Sequence, residues 1–407
     1  MNVVLFSIIF LLLMLVSKKS GSESNALFYL LIILYLLSFI STILLDVFFV
    51  KQIVQFVPVL FLLVILFLFF IPFKNIPVPY IATTNRNICR INRFSIMMIF
   101  LTIIPTIYFA YYAFRNLTSV NLSSFRIDVS EGSVSILPQG FLNSVFVLIA
   151  PLYFINLIMF FISFLIESKS FIKSGLFITS FVFVLFTLCY EGRDGIIFWF
   201  FNFMALFLFF RNILAKEEKK MIIKASAIVT ILFLFIFLLI TFKRFVSSGY
   251  YNENETTVST ILNYYGQQLG NYSKAFYLNI DYNTTIFPGI RKYLFGSFSS
   301  EKVKHLLHIQ RAENADTVFG FFVKDLIWGY SYLGTICISI FYFFITNSRK
   351  KALKRNNRLS DFIILILLFQ IPLCGVFYFR QMLGITDFSY IFGFLLTKFY
   401  FNKIRIL

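Results

Sequence analysis

The sequence predicts an all-α, polytopic integral membrane protein with about 11 transmembrane helices and one large extracytoplasmic loop late in the chain. Three observations predict it. Hydrophobic residues make up 59% of 407 residues and charged residues only 13%, a balance that suits helices facing lipid rather than a water-soluble surface. Apolar runs of membrane-crossing length follow one another along the chain. A single long polar stretch, Lys243–Asp325, interrupts them.

The predicted spans are 2–16, 26–45, 53–72, 94–114, 141–165, 171–189, 195–210, 221–242, 326–346, 361–379 and 385–401. The first and seventh are short. The first has no basic leader before it and no small-residue cleavage site after it, so it reads as a retained span rather than a signal peptide. Pro58, Pro105, Pro151 and Pro372 fall inside spans, where neighbouring helices must satisfy the carbonyls they free. The chain thus divides into a transmembrane block over 1–242, a large outer loop with interfacial helices over 243–325, and a C-terminal transmembrane block over 326–407. Within the loop, Val258–Ile280 mixes apolar and polar residues. That pattern suits helices lying on the membrane surface or packing over the spans.

Lysine and arginine set the orientation. With the N-terminus outside and the C-terminus inside, 22 of the 36 basic residues fall on inner segments, five in short outer connections and nine in the long loop. Both sizeable loops, Arg115–Gly140 and Lys243–Asp325, then lie outside. In a bacterium this is the face of the cytoplasmic membrane turned to the periplasm or exterior.

Several function classes are excluded or disfavoured. A net charge of +18 would suggest nucleic acid on a soluble protein, but here the charges follow topology, so no nucleic-acid partner is expected. The four cysteines are scattered without metal-ligand or disulfide spacing. Asp46, Lys224, Asp361, Arg380 and Asp387 all lie near predicted span ends, and ion-coupled transporters usually place charges at mid-depth. Neither a metal nor a cofactor is expected. The five Asn-X-Ser/Thr matches, at Asn116, Asn121, Asn254, Asn271 and Asn283, follow from composition.

The candidate chemistry lies at the outer edges of the spans. Tyr190-Glu191-Gly192-Arg193-Asp194-Gly195 forms a tight outer connection that pins Arg193 at the lipid–water boundary. A guanidinium there suits a phosphate or diphosphate; equally, it can snorkel to lipid headgroups. Asp194 reads as a first-turn or N-cap residue of the next helix, and Glu191 as solvated. Arg244, Arg291 and Arg380 are further outer cations able to help clamp a diphosphate. Lys292, Lys302, Lys304 and Lys324 read as solvated surface bases. His305 and His308, three apart, share one helical face, and His305 offers a general base; a pair without a third ligand is a poor zinc site. Asp325 closes the loop and opens the ninth span, where it either offsets the helix dipole or takes a proton from a hydroxyl.

These residues resemble the bacterial O-antigen polymerases, the Wzy-type oligosaccharide repeat unit polymerase family. The likeness rests on the Gly192-Arg193-Asp194-Gly195 turn opening a span and on the single large outer loop late in the chain. It also rests on Ala315-Asp316-Thr317-Val318-Phe319-Gly320 leading to Asp325, Gly329 and Gly334. Leu326-Ile327-Trp328 departs from the family's tight Phe-Gly. The resemblance implies polymerisation of undecaprenyl-pyrophosphate-linked oligosaccharides into a surface polysaccharide, O-antigen or capsule, at the outer leaflet. A chain-length regulator is the implied partner. It assigns Arg193 and Arg291 to the diphosphate, Arg244 and Arg380 to supporting roles, and Asp325 or His305 to the base. The same layout suits an O-antigen ligase. A lipid-linked oligosaccharide flippase would want a central cationic cavity and no large outer loop. A transferase using a monosaccharide on a lipid monophosphate would want paired acids in the first outer loop, where only Asp46 stands.

Overall fold

A computed structural model describes residues 2–16, 25–49, 53–77, 84–118, 137–138, 140–190, 192–247, 257–277, 320–356, 358–378 and 385–401. Among these residues the chain is helical, with no β-strand. In order the helices are α1 (Asn2–Val16), α2 (Ala26–Phe48), α3 (Phe56–Phe70), α4 (Asn85–Thr118), α5 (Phe141–Ile149), α6 (Tyr153–Leu165), α7 (Ser170–Thr179), α8 (Val182–Cys189), α9 (Asp194–Phe210), α10 (Lys216–Ser247), α11 (Thr257–Phe276), α12 (Phe321–Asn356), α13 (Leu359–Cys374) and α14 (Ile385–Phe401).

Six helical stretches are long and apolar enough to cross a membrane: Ala26–Phe48, Phe56–Phe73, Asn85–Thr118, Phe141–Leu165, Ser170–Cys189 and Tyr330–Arg355. Shorter apolar helices cover Val3–Leu15, Asp194–Phe210, Leu359–Cys374 and Ile391–Phe401.

The chain forms two compact units, each discontinuous in sequence. The first comprises Met1–Pro77, Glu255–Asn357 and Ile364–Phe388, and the second Val78–Asn254, Arg358–Ile363 and Ser389–Leu407. Residues of the long loop therefore cluster with the first three helices, because contact rather than chain order groups them.

In the first unit, α11 lies along α2. Gly266 permits this: a Cβ there would stand 2.7 Å from the backbone carbon and oxygen of Ser41 and 2.6 Å from Leu45 Cδ1. Ser38 Oγ donates to the Tyr265 carbonyl at 2.9 Å and Thr42 Oγ1 to the Gly266 carbonyl at 2.6 Å. Small residues thus bring two backbones close enough for hydroxyls to bridge them. Of the two placements that the mixed pattern of Val258–Ile280 suggested, this is packing over a span. Pro372, inside α13, has no N–H for the Leu368 carbonyl four residues back. The Tyr342 hydroxyl donates to that carbonyl at 2.9 Å, and the Tyr35 hydroxyl donates to Pro372 O at 3.1 Å.

The second unit is tied by neutral polar pairs. Asn156 Nδ2 donates to Thr102 Oγ1 at 2.9 Å and Thr179 Oγ1 at 3.0 Å, joining α6 to α4 and α7. Asn202 Nδ2 donates to the Tyr153 hydroxyl, and Trp199 Nε1 to Ser180 Oγ where α7 gives way to α8. Trp199 stacks between Phe181 and Phe203. Pro151 explains the 3₁₀ turn, Ala150–Leu152, that separates α5 from α6. At the end of α6, Glu167 takes φ 51° and Ser168 N donates back to Ser163 O at 2.9 Å, which closes the helix with a left-handed residue.

Candidate functional site

The first unit contains an interrupted helix. Its start is pinned by backbone bonds: Gly320 N donates to Phe377 O at 3.0 Å and Phe322 N to Gly375 O at 2.8 Å. Phe321, at φ 56°, is held in the left-handed region while its ring stacks on Tyr35 and meets the edge of Phe39. Further along α12, Ser331 has φ 62° and ψ 177°, and the helix kinks there. Each such residue costs about 1–3 kcal/mol and persists only where its surroundings fix it. Residues 321–330 are thus a short helix bracketed by two strained points.

Lys324 and Asp325 sit within it. Lys324 is 1% exposed and Asp325 15%, with Nζ 3.7 Å from Oδ1. The ammonium also lies 4.9 Å from the centre of the Trp328 ring. The lysine stem folds onto Gly320, where a Cβ would stand 2.8 Å from Lys324 Cδ. A buried ammonium requires compensation, and the carboxylate and the indole face provide it. Two sequence readings change here. Lys324 is buried, not a solvated surface base. Asp325 is the fifth residue of α12 rather than a first-turn residue, so offsetting the helix dipole does not account for it. The overlooked signal was the flanking sequence: Phe321-Phe322-Val323 before the pair and Leu326-Ile327-Trp328 after it embed two charges in an apolar run.

Helix α11 is fastened to this segment by its last carbonyls. Trp328 Nε1 donates to Ala275 O at 3.3 Å, and the Tyr332 hydroxyl donates to Phe276 O. These are acceptors that a helix C-terminus leaves unsatisfied. Trp328 therefore serves both the lysine and the loop helix. One helical turn earlier, burial pushes the Tyr272 phenol well above its ordinary range. Its hydroxyl has no hydrogen-bond partner among the described residues.

The second unit holds the Gly192–Gly195 turn. Tyr190 N and Gly192 N both donate to Thr187 O, at 3.0 and 2.8 Å. A Cβ on Gly195 would stand 2.0 Å from Thr187 Oγ1, and one on Gly192 would stand 2.8 Å from Asp194 Oδ1. The two glycines let the chain wrap Thr187 and start α9 at once. Arg193 is the N-cap residue and half-buried, and Asp194 is the first helical residue, as its position in the sequence suggested. Asn116 Nδ2 donates to Cys189 O at 2.8 Å, tying the turn to α4. Asn116 is buried and so is no glycan acceptor.

Arg193 belongs to the second unit and Asp325 to the first. Arg244 lies on α10, but its side chain is outside those described. Arg291, Arg380, His305, His308, Glu191 and the stretch Ala315–Phe319 lie outside the described residues. Among the described residues no group of three or more His, Cys, Asp or Glu gathers at metal-binding distance.

The class these features define is an all-helical protein with several helices of membrane-crossing length and hydropathy. No protein-family model, curated protein or solved structure matches the chain.

Proposed function

We propose that the protein polymerises lipid-diphosphate-linked oligosaccharide repeat units at the outer leaflet of a bacterial cytoplasmic membrane. In this reading it has eleven spans, with the N-terminus outside and the C-terminus inside. The carrying observation is Asp325, partly exposed beside a buried ammonium on a strained helix that is fastened to the long loop's own helix. An acid held this way is suited to accept a proton. The resemblance of the Gly192–Gly195 turn and of the loop's end to repeat-unit polymerases supplies the substrate class.

The reaction asks little beyond positioning and charge compensation. The acceptor's terminal hydroxyl attacks the anomeric carbon of the growing chain, and its proton passes to Asp325. The bond from that carbon to the diphosphate oxygen breaks, and the lipid diphosphate leaves with the electron pair. Because diphosphate is already a good leaving group, fixed charges and orientation supply much of the acceleration. Arg193 is assigned to a phosphate, for which its planar fork of donors is suited. Arg291 shares that role, Arg244 and Arg380 support it, and His305 is the alternative base.

Deletion of the gene followed by glycan electrophoresis tests the reading. Loss of the ladder with one capped repeat unit remaining is the expected result. Loss of every repeat unit instead indicates a ligase or flippase. Arg193→Lys should express normally and lose the ladder, because an ammonium cannot reproduce the bidentate fork. A normal ladder in that variant would return Arg193 to a headgroup-facing structural role.

A further inference from the structure

We infer that Lys324 is a positioning residue for Asp325, a fixed buried cation that keeps the carboxylate charged and aimed. The inference rests on the polymerase reading above and extends it to a residue that neither the motif resemblance nor the charge pattern singled out.

The geometry divides the pair unequally. Lys324 is 1% exposed and Asp325 15%, so of the two only the acid reaches the edge of the packed segment. The lysine is fixed on three sides: Asp325 Oδ1 at 3.7 Å, the Trp328 ring at 4.9 Å, and Gly320 beneath its stem. Gly320 in turn is bonded to Phe377 O, and Trp328 to Ala275 O. A lysine meant to reach out for a substrate phosphate would not be packed this way. Its separation from the carboxylate is longer than a close hydrogen-bonded ion pair. The ammonium therefore acts on the acid mainly through charge, leaving the carboxylate oxygens able to accept the acceptor's hydroxyl. In the step, the proton moves from the acceptor hydroxyl to Asp325, and Lys324 keeps all its own protons throughout.

The test uses the full-length protein in detergent, with lipid-linked repeat unit extracted from the deletion strain as substrate. Lys324→Met should lower kcat about 100-fold, the scale of a lost general base, with KM within about twofold. Lys324→Arg, which keeps the charge, should recover at least about a tenth of wild-type kcat. Asp325→Asn and the double variant Lys324→Met/Asp325→Asn should be equally slow, because residues acting as one unit are not additive. Gly320→Ala displaces the lysine stem without changing any charge. It should lower kcat in the wild-type background and have no further effect in Lys324→Met, which serves if Lys324→Met alone folds poorly. Undiminished kcat in Lys324→Met overturns the inference alone. So does a raised KM at unchanged kcat, which would make the lysine a substrate contact, or losses that multiply in the double variant. Absence of polymer from wild-type protein overturns the polymerase reading and the inference with it.

Discussion

The two units bury polar groups in different ways. In the second unit, Asn156, Thr102, Thr179, Asn202, Tyr153, Trp199 and Ser180 pair as neutral donors and acceptors between helices. Its buried acid, Asp361, stands in the first turn of α13, where exposed N–H groups and the dipole offset the charge. The first unit instead buries an ammonium beside a carboxylate between two left-handed residues. Neutral pairs between apolar helices hold a bundle together at modest gain. A buried charge on strained backbone costs stability and persists where something else requires it. The second unit therefore reads as scaffold, and the segment around Asp325 as the place where chemistry is done.

Four variants sharpen or break that contrast. Asp325→Asn has the largest expected effect: polymer formation falls about 100-fold or more, while thermal unfolding in detergent stays at the wild-type temperature. A variant that unfolds early but keeps its activity per folded molecule would make the acid structural. Gly266→Leu should destabilise the protein by about 3 kcal/mol, since a side chain would be forced against the Ser41 backbone and part α11 from α2. Activity should fall with it, because α11 is fastened to Trp328; retained activity would detach the loop helix from the site. Tyr342→Phe strands the Leu368 carbonyl that Pro372 cannot serve, at about 1–3 kcal/mol, measurable as a lower melting temperature. Asn156→Leu should cost least, about 1 kcal/mol, because Thr102 and Thr179 also bond carbonyls of their own helices. Full activity per folded molecule is expected, and a selective loss of polymer from this variant would carry chemistry into the scaffold.

Much of the helical layout was legible in the sequence. Each of the eleven apolar segments carries helix among the described residues, since an unpaired backbone is intolerable in lipid. The glycines of Gly192–Gly195 also announced a tight turn, and Thr187 shows why no larger residue fits. The start of α12 was misplaced. Lys324 and Asp325 looked like the end of a loop because charge usually marks a span boundary, yet helix begins at Phe321. Charge pattern says how often a residue type meets water; it does not say which neighbours compensate a particular buried charge.

By itself, the sequence determined the helical class, the apolar segments and the placement of prolines and glycines where chain geometry changes. These follow from local chemistry and from the demand that every backbone group in an apolar medium be satisfied within its own segment or by a near neighbour. Tertiary structure alone decided that α11 rides on α2, that Tyr342 serves the carbonyl exposed by Pro372, and that Lys324 is enclosed by Gly320, Asp325 and Trp328. Burial and partnership belong to contacts between residues distant along the chain, and no local pattern encodes which distant helix will supply them.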